Sequence, residues 1–163
     1  MPLDEVYFSV NADTRDIVVP NELKSIGVVG DQTAEIVYFL IDRYFDAIDF
    51  GSSSINAIIE WNRVGDKGAE GVTKAWIKEL KLYPNKVYIG WPIDSRITEK
   101  AGNIEFALRL FKTNSEGDID YSFSTKPATV TVNKTLDLYA GENIEIDDYD
   151  SLILDRITST DFS

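Results

Sequence analysis

Between residues 34 and 132 apolar side chains recur at every second position, and that period commits the chain to strands rather than helices. Successive side chains of a strand point to opposite faces, whereas a helix repeats every 3.6 residues. The pattern is clearest at residues 103–112, where Ile104, Phe106, Leu108 and Leu110 share one face and Glu105, Ala107, Arg109 and Phe111 the other. Residues 55–61 repeat it with Ile55, Ala57, Ile59 and Trp61, and residues 128–132 with Ala128, Val130 and Val132. Val87, Ile89 and Trp91 form another inward row, and Ile119, Tyr121 and Phe123 alternate with Asp120, Ser122 and Ser124. At residues 35–41 both rows are apolar, Ile36, Tyr38 and Leu40 against Val37, Phe39 and Ile41, so this strand is expected to be covered on both sides. Residues 72–77 fit a strand followed by a loop, although Val72, Ala75, Trp76 and Leu80 would also line a short helix.

Turn residues divide these runs. Gly65-Asp66-Lys67-Gly68 predicts a hairpin, and Gly30-Asp31, Pro84-Asn85, the segment 99–102 and the segment 114–117 predict further turns. Strands at intervals of roughly 10 to 15 residues, with no long helix between them, predict an antiparallel β-sandwich, immunoglobulin-like or jelly-roll-like, of about seven or eight strands. The expected organisation is an N-terminal arm with edge strands at 1–33, a sandwich at 34–138 and an acidic C-terminal arm at 139–163. In that last segment Leu152, Ile153 and Leu154 form a compact apolar group.

Composition narrows the chemistry. The sequence holds no His and no Cys, which removes disulfides, thiol nucleophiles and the usual zinc ligands. A net charge of −12, from 28 acidic and 16 basic residues, opposes binding to a phosphate backbone, so no nucleic-acid partner is expected. No stretch approaches the roughly 18 apolar residues of a membrane span, and the N-terminal residues lack a signal-peptide pattern, so neither a membrane partner nor the usual export route is expected.

Three constellations merit weighing. Asp147, Asp148 and Asp150 lie close enough to hold a hard cation, but lack the glycine and the later Glu of a calcium loop, and read as a solvated turn. Asp42, Asp46 and Asp49 surround Arg43, Tyr44 and Phe45; paired carboxylates cleave glycosidic bonds without His, yet a loop with local salt bridges fits these residues better. Residues 27–31 form neither a phosphate loop nor a dinucleotide fingerprint and read as a turn. No cofactor and no metal are therefore expected. The aromatics Trp61, Trp76, Trp91, Tyr121 and Phe123 offer either a sugar-stacking platform or, by preference, core and interface anchors. Candidate interface residues are Trp61, Trp76, Trp91, Tyr44, Phe45, Leu152, Ile153 and Leu154.

Several of these pieces, in this order, resemble a known family. Residues 36–41 lead into Arg43-Tyr44-Phe45-Asp46-Ala47-Ile48-Asp49-Phe50, then a strand ending at Trp91-Pro92. Thr98-Glu99-Lys100-Ala101-Gly102-Asn103-Ile104-Glu105-Phe106 follows, and Thr125-Lys126-Pro127-Ala128-Thr129-Val130-Thr131-Val132 closes the series. Over residues 34–136 this resembles the N-terminal domain of upper baseplate (BppU-type) and related minor structural proteins of phages of Gram-positive bacteria, with Phe123 where a tryptophan is common. The resemblance implies a non-enzymatic virion protein, assembled in the host cytoplasm, that docks other virion structural proteins as a homo-oligomer. A tail or baseplate adaptor is the first expectation, with a capsid decoration or head fibre, or a carbohydrate-binding sandwich for host attachment, as alternatives. Family members commonly continue into a stalk or receptor-binding region, so the length of this chain favours docking.

Overall fold

Alternation places Ile55, Ala57, Ile59 and Trp61 on one side of an extended chain, and all four are buried in the computed structural model, which describes residues 6–29 and 35–134. They lie on β7 (Ile55–Arg63). The same rule builds β10 (Gly102–Thr113), which buries Ile104, Phe106, Leu108 and Leu110, and β12 (Ala128–Asn133), which buries Val130 and Val132. On β9 (Lys86–Ile93), Val87, Ile89 and Trp91 belong to the core. Residues 70–79 are strand β8 (Glu70–Glu79), so the alternative short helix does not form. The remaining strands are β1 (Phe8–Val10), β2 (Ile17–Val18), β3 (Ser25–Val28), β4 (Glu35–Asp42), β5 (Tyr44–Phe45), β6 (Ile48–Asp49) and β11 (Ile119–Ser124). Apart from a 3-10 turn at Asn21–Leu23, the described secondary structure is all β.

Ten of these strands form one curled sheet in the order β2-β1-β4-β9-β8-β7-β10-β12-β3, with β11 also on β10. The curl happens at β8, which pairs with β7 through Glu70 to Ala75 and then with β9 through Trp76 to Glu79. Two halves are thereby brought face to face. Phe8, Phe39 and Trp91 of one half meet Phe106 of the other at centroid distances of 5.1, 6.0 and 5.0 Å.

The expected antiparallel arrangement needs correction, because β1 runs parallel to β4 and β3 parallel to β12. Among the described residues twelve strands replace the expected seven or eight; β1 and β2 answer to the strands expected in the N-terminal arm, whereas β3, β5 and β6 are two- to four-residue pieces too short to carry a periodic signal. The N-terminal segment supplies both edges, β2 and β3, and also β1, whose Phe8 is fully buried. Gly27 and Val28 belong to β3 rather than to a turn. The predicted turn at Gly30-Asp31, the acidic group at 147–150 and the C-terminal arm with Leu152, Ile153 and Leu154 lie outside the described residues.

The hairpin at 65–68 forms as expected, with Gly65 and Gly68 at φ 80° and 90°, values that side chains with a Cβ resist. A second local rule shapes β11 and β12, which together run antiparallel to one edge of β10. Between them Pro127 cannot donate to a ladder. Thr125 substitutes for strand pairing there: its N–H donates to Leu108 O and its Oγ1 accepts from Leu108 N, both at 3.0 Å.

Candidate interaction surface

The Arg43 to Phe50 segment closes one end of the core. It folds as the β5–β6 hairpin, with Asp46 and Ala47 at φ 52° and 63°, the pair of positive values a tight hairpin turn requires. Arg43 brackets the hairpin: Nε donates to Asp49 Oδ1 and Nη2 meets Glu79, both at 2.8 Å. The bonded guanidinium holds the Asp49 carboxyl below its usual range, helped by the Gly51 N–H. Beneath the hairpin, Phe45, Phe50 and Phe123 pack ring against ring, with the Arg15 guanidinium 4.2 Å from the Phe123 centroid. Asp42 pairs with Lys86. Of the three aspartates considered for sugar chemistry, one is in a hairpin turn and two are in ion pairs, as the loop reading expects.

The aromatic candidates separate. Trp91 is 0% exposed and Trp61 4%, and both belong to the core cluster rather than to a surface platform. Trp61 lies on Gly71, where a Cβ would come within 3.0 Å of the indole. Phe123 is buried, while Phe45 and Tyr121 are partly buried against the core, and burial raises the pKa of the Tyr121 hydroxyl. A five-ring sugar platform is thus not assembled. Tyr44, 59% exposed, stands on the end hairpin with Arg43 5.3 Å from its ring, and Trp76 is 42% exposed on β8.

Trp76 belongs to the outer face of the β1-β4-β9-β8 half. Register places Tyr38, Gly90 and Trp76 across three neighbouring strands, with Leu40, Tyr88 and Lys78 in the next row. Gly90 makes room for the indole, since a Cβ there would sit 2.6 Å from it. Tyr88 is covered by Tyr7 and Tyr38, at ring distances of 6.0 and 5.5 Å. Ile36 is 42% exposed, and Tyr38 and Leu40 are partly exposed, so the face expected to be covered is only half covered here. Lys74 and Lys78, both exposed, flank Trp76 along β8. Where β8 leaves β7, a cleft of about 570 Å³ opens beside them, bordered also by Ser52 and Asn56.

The opposite half presents a different surface. A shallow depression of about 380 Å³ is lined by Glu60, Asn62, Glu70, Val72 and Glu105 among others. Glu60 pairs with Arg109 at 3.1 Å and Asn62 donates to Glu105 at 3.3 Å, so these groups largely serve one another. At the end of the fold opposite the hairpin, buried Arg63 donates to the carbonyls of Arg96 and Ile97 at 3.0 Å and meets Asp66 at 3.2 Å, fixing the loop after β9.

Sequence reasoning named Trp76 but missed Lys74, Lys78, Tyr38 and Ile36 as its companions. A signal existed, since residues 35–41 carry two apolar rows and only one can face a single core. No family model matches the chain, and no curated protein matches it.

Proposed function

We propose that this chain is a non-enzymatic docking module of a bacteriophage particle, joining virion structural proteins at the tail or baseplate, or as a fibre or decoration on the capsid. The observation that supports this reading is the outer face bearing Ile36, Tyr38, Leu40 and Trp76. Solvated sheet faces are ordinarily polar, and a contiguous apolar patch on a stiff scaffold marks a protein contact. Aromatic side chains at its centre are the kind that anchor interfaces. The resemblance of residues 34–136 to phage upper baseplate proteins points the same way. Trp61 and Trp91 in the core leave the glycan-binding alternative without its platform.

The test is assembly. Light scattering on the full chain and proteomics of purified particles should find a homo-oligomer and incorporation into virions. Tyr38→Glu, at a partly exposed position within the patch, should keep the β-rich circular dichroism and lose association. A wild-type chain that stays monomeric and is absent from particles would sink the reading.

A further inference from the structure

The change of partners along β8 leaves part of its edge open. β8 pairs with β7 as far as Ala75 opposite Ala57, and with β9 from Trp76 opposite Gly90 onward. Over residues 76–79 no strand among the described residues pairs with its β7 side. Register identifies the groups this edge offers. Arg63 N–H donates to Ala69 O at 2.8 Å at the closed end of the β7–β8 hairpin, and bonded pairs alternate along an antiparallel ladder. The odd-numbered residues of β8 therefore aim N–H and C=O toward β7. Those of Ile77 and Glu79 aim into the cleft of about 570 Å³ that opens where the strands part. Across the cleft the Ile55 N–H is already bonded to Ser52 O at 3.1 Å, so the open ladder belongs to β8. An unpaired row of this kind is a template for an added strand, whose main chain bonds the edge while alternate side chains give selectivity.

The side chains around the edge specify what that strand carries. Residues 74–86 hold Lys74, Lys78, Lys81 and Lys86 against Glu79 alone, in a chain at −12. Glu79 is held by Arg43 and Lys86 by Asp42. Lys74 stands opposite Ile58 of β7 just before the strands part, and Lys78 opposite Tyr88 of β9 just beyond. Both lysines are exposed, border the cleft and have no ion pair among the described residues. The exposed Trp76 indole lies between them. The inner side of the cleft is bordered by buried Ile55 and by Ile77, which packs against the core. A strand added here turns one row of side chains toward lysines and the other toward isoleucines.

We infer that β8 takes an extended acidic segment of a partner protein as an added strand along residues 76–79, continuing antiparallel the ladder that β7 leaves at Ala57. The segment's carboxylates lie beside Lys74 and Lys78, and its alternate apolar side chains beside Ile55 and Ile77. Ile77 and Glu79 hold its main chain, and the lysines select its charge. Four paired residues span roughly 13 Å, so a short segment suffices. The site shares Trp76 with the apolar outer face but stands on ladder geometry and charge, and it holds whether or not the partner belongs to a virion.

Titration of the nitrogen-15-labelled full chain with a blocked octapeptide alternating glutamate and valine tests it, read by amide shifts and hydrogen exchange. The Ile77 and Glu79 amides should shift and gain at least tenfold protection. A lysine–valine peptide should do neither, and Lys78→Glu should weaken binding of the acidic peptide at least tenfold with circular dichroism unchanged. In the antiparallel pair the valine nitrogens face β8 and the glutamate nitrogens face away. N-methylation of the valines should therefore abolish binding, whereas N-methylation of the glutamates should leave it; any other pattern would overturn the inference. So would unmoved Ile77 and Glu79 amides at millimolar peptide. Protection of those amides that is present without peptide and rises with protein concentration would assign the edge to a second copy, and would also overturn it. Particle incorporation is measured separately, so failure of the virion reading and failure of strand addition are distinguishable.

Discussion

Trp91 and Trp76 stand on neighbouring strands of the same half-sheet, one facing inward and one outward. Trp91 packs against Phe39 and Phe106 and is closed from solvent, whereas Trp76 lies over Gly90 with a large part of its indole exposed. The inner face is aromatic because it must fill the space between two halves of one curled sheet. The outer face is aromatic although the core makes no such demand on it, and the proposed docking function is the reason offered for that. The core and the proposed docking surface therefore occupy opposite faces of the same strands.

Truncating each ring breaks or upholds that division. Trp91→Ala should cost about 3–5 kcal/mol in urea unfolding, the usual range for deleting a large buried aromatic. Trp76→Ala should cost below about 1 kcal/mol, as exposed substitutions do, while weakening association. Equal losses of stability would erase the distinction between the faces.

A smaller effect sharpens the inner side. Thr125 is buried and its Oγ1 accepts the Leu108 N–H where β11 gives way to β12. Thr125→Val keeps the shape and strands that N–H, at a cost of about 1–3 kcal/mol in chemical denaturation. Thr125→Ser should recover most of it, and if valine and serine behave alike the hydroxyl is not what joins the two strands.

The smallest effect belongs to the end hairpin, between the two faces. The Asp49 carboxyl is held below its ordinary pKa by Arg43, so its contribution is present above about pH 4 and fades as pH falls through the lowered folded value. Both partners are partly solvated, so water screens the pair and its contribution is small. Asp49→Asn should therefore lower the melting temperature slightly at pH 7 and converge with wild type in acid. A difference that grows on acidification would contradict the ion pair.

Much of this was legible in the sequence. The inward rows of β7, β9, β10 and β12 follow directly from alternation, and the hairpin at 65–68 from its glycines. The parallel pairings of β1 with β4 and β3 with β12 were not legible, because strand partners far apart in sequence leave no local trace. Short strands such as β5 and β6 carry too few residues for a period to show. At the candidate site, Trp76 was recognisable as an aromatic anchor, but its exposure could not be told from that of Trp61 or Trp91. All three lie in alternating runs, and alternation gives two faces without saying which one meets the core.

What the sequence determined by itself is the extended backbone, the inward apolar rows and the acidic balance, since these depend on side-chain order alone. Only the tertiary structure decided that β8 changes partners midway, and with that which face of β4, β8 and β9 looks outward. The reason is geometric. Hydrogen bonds between distant strands choose the curl of the sheet, and the curl turns one aromatic row into the core and the other into a surface.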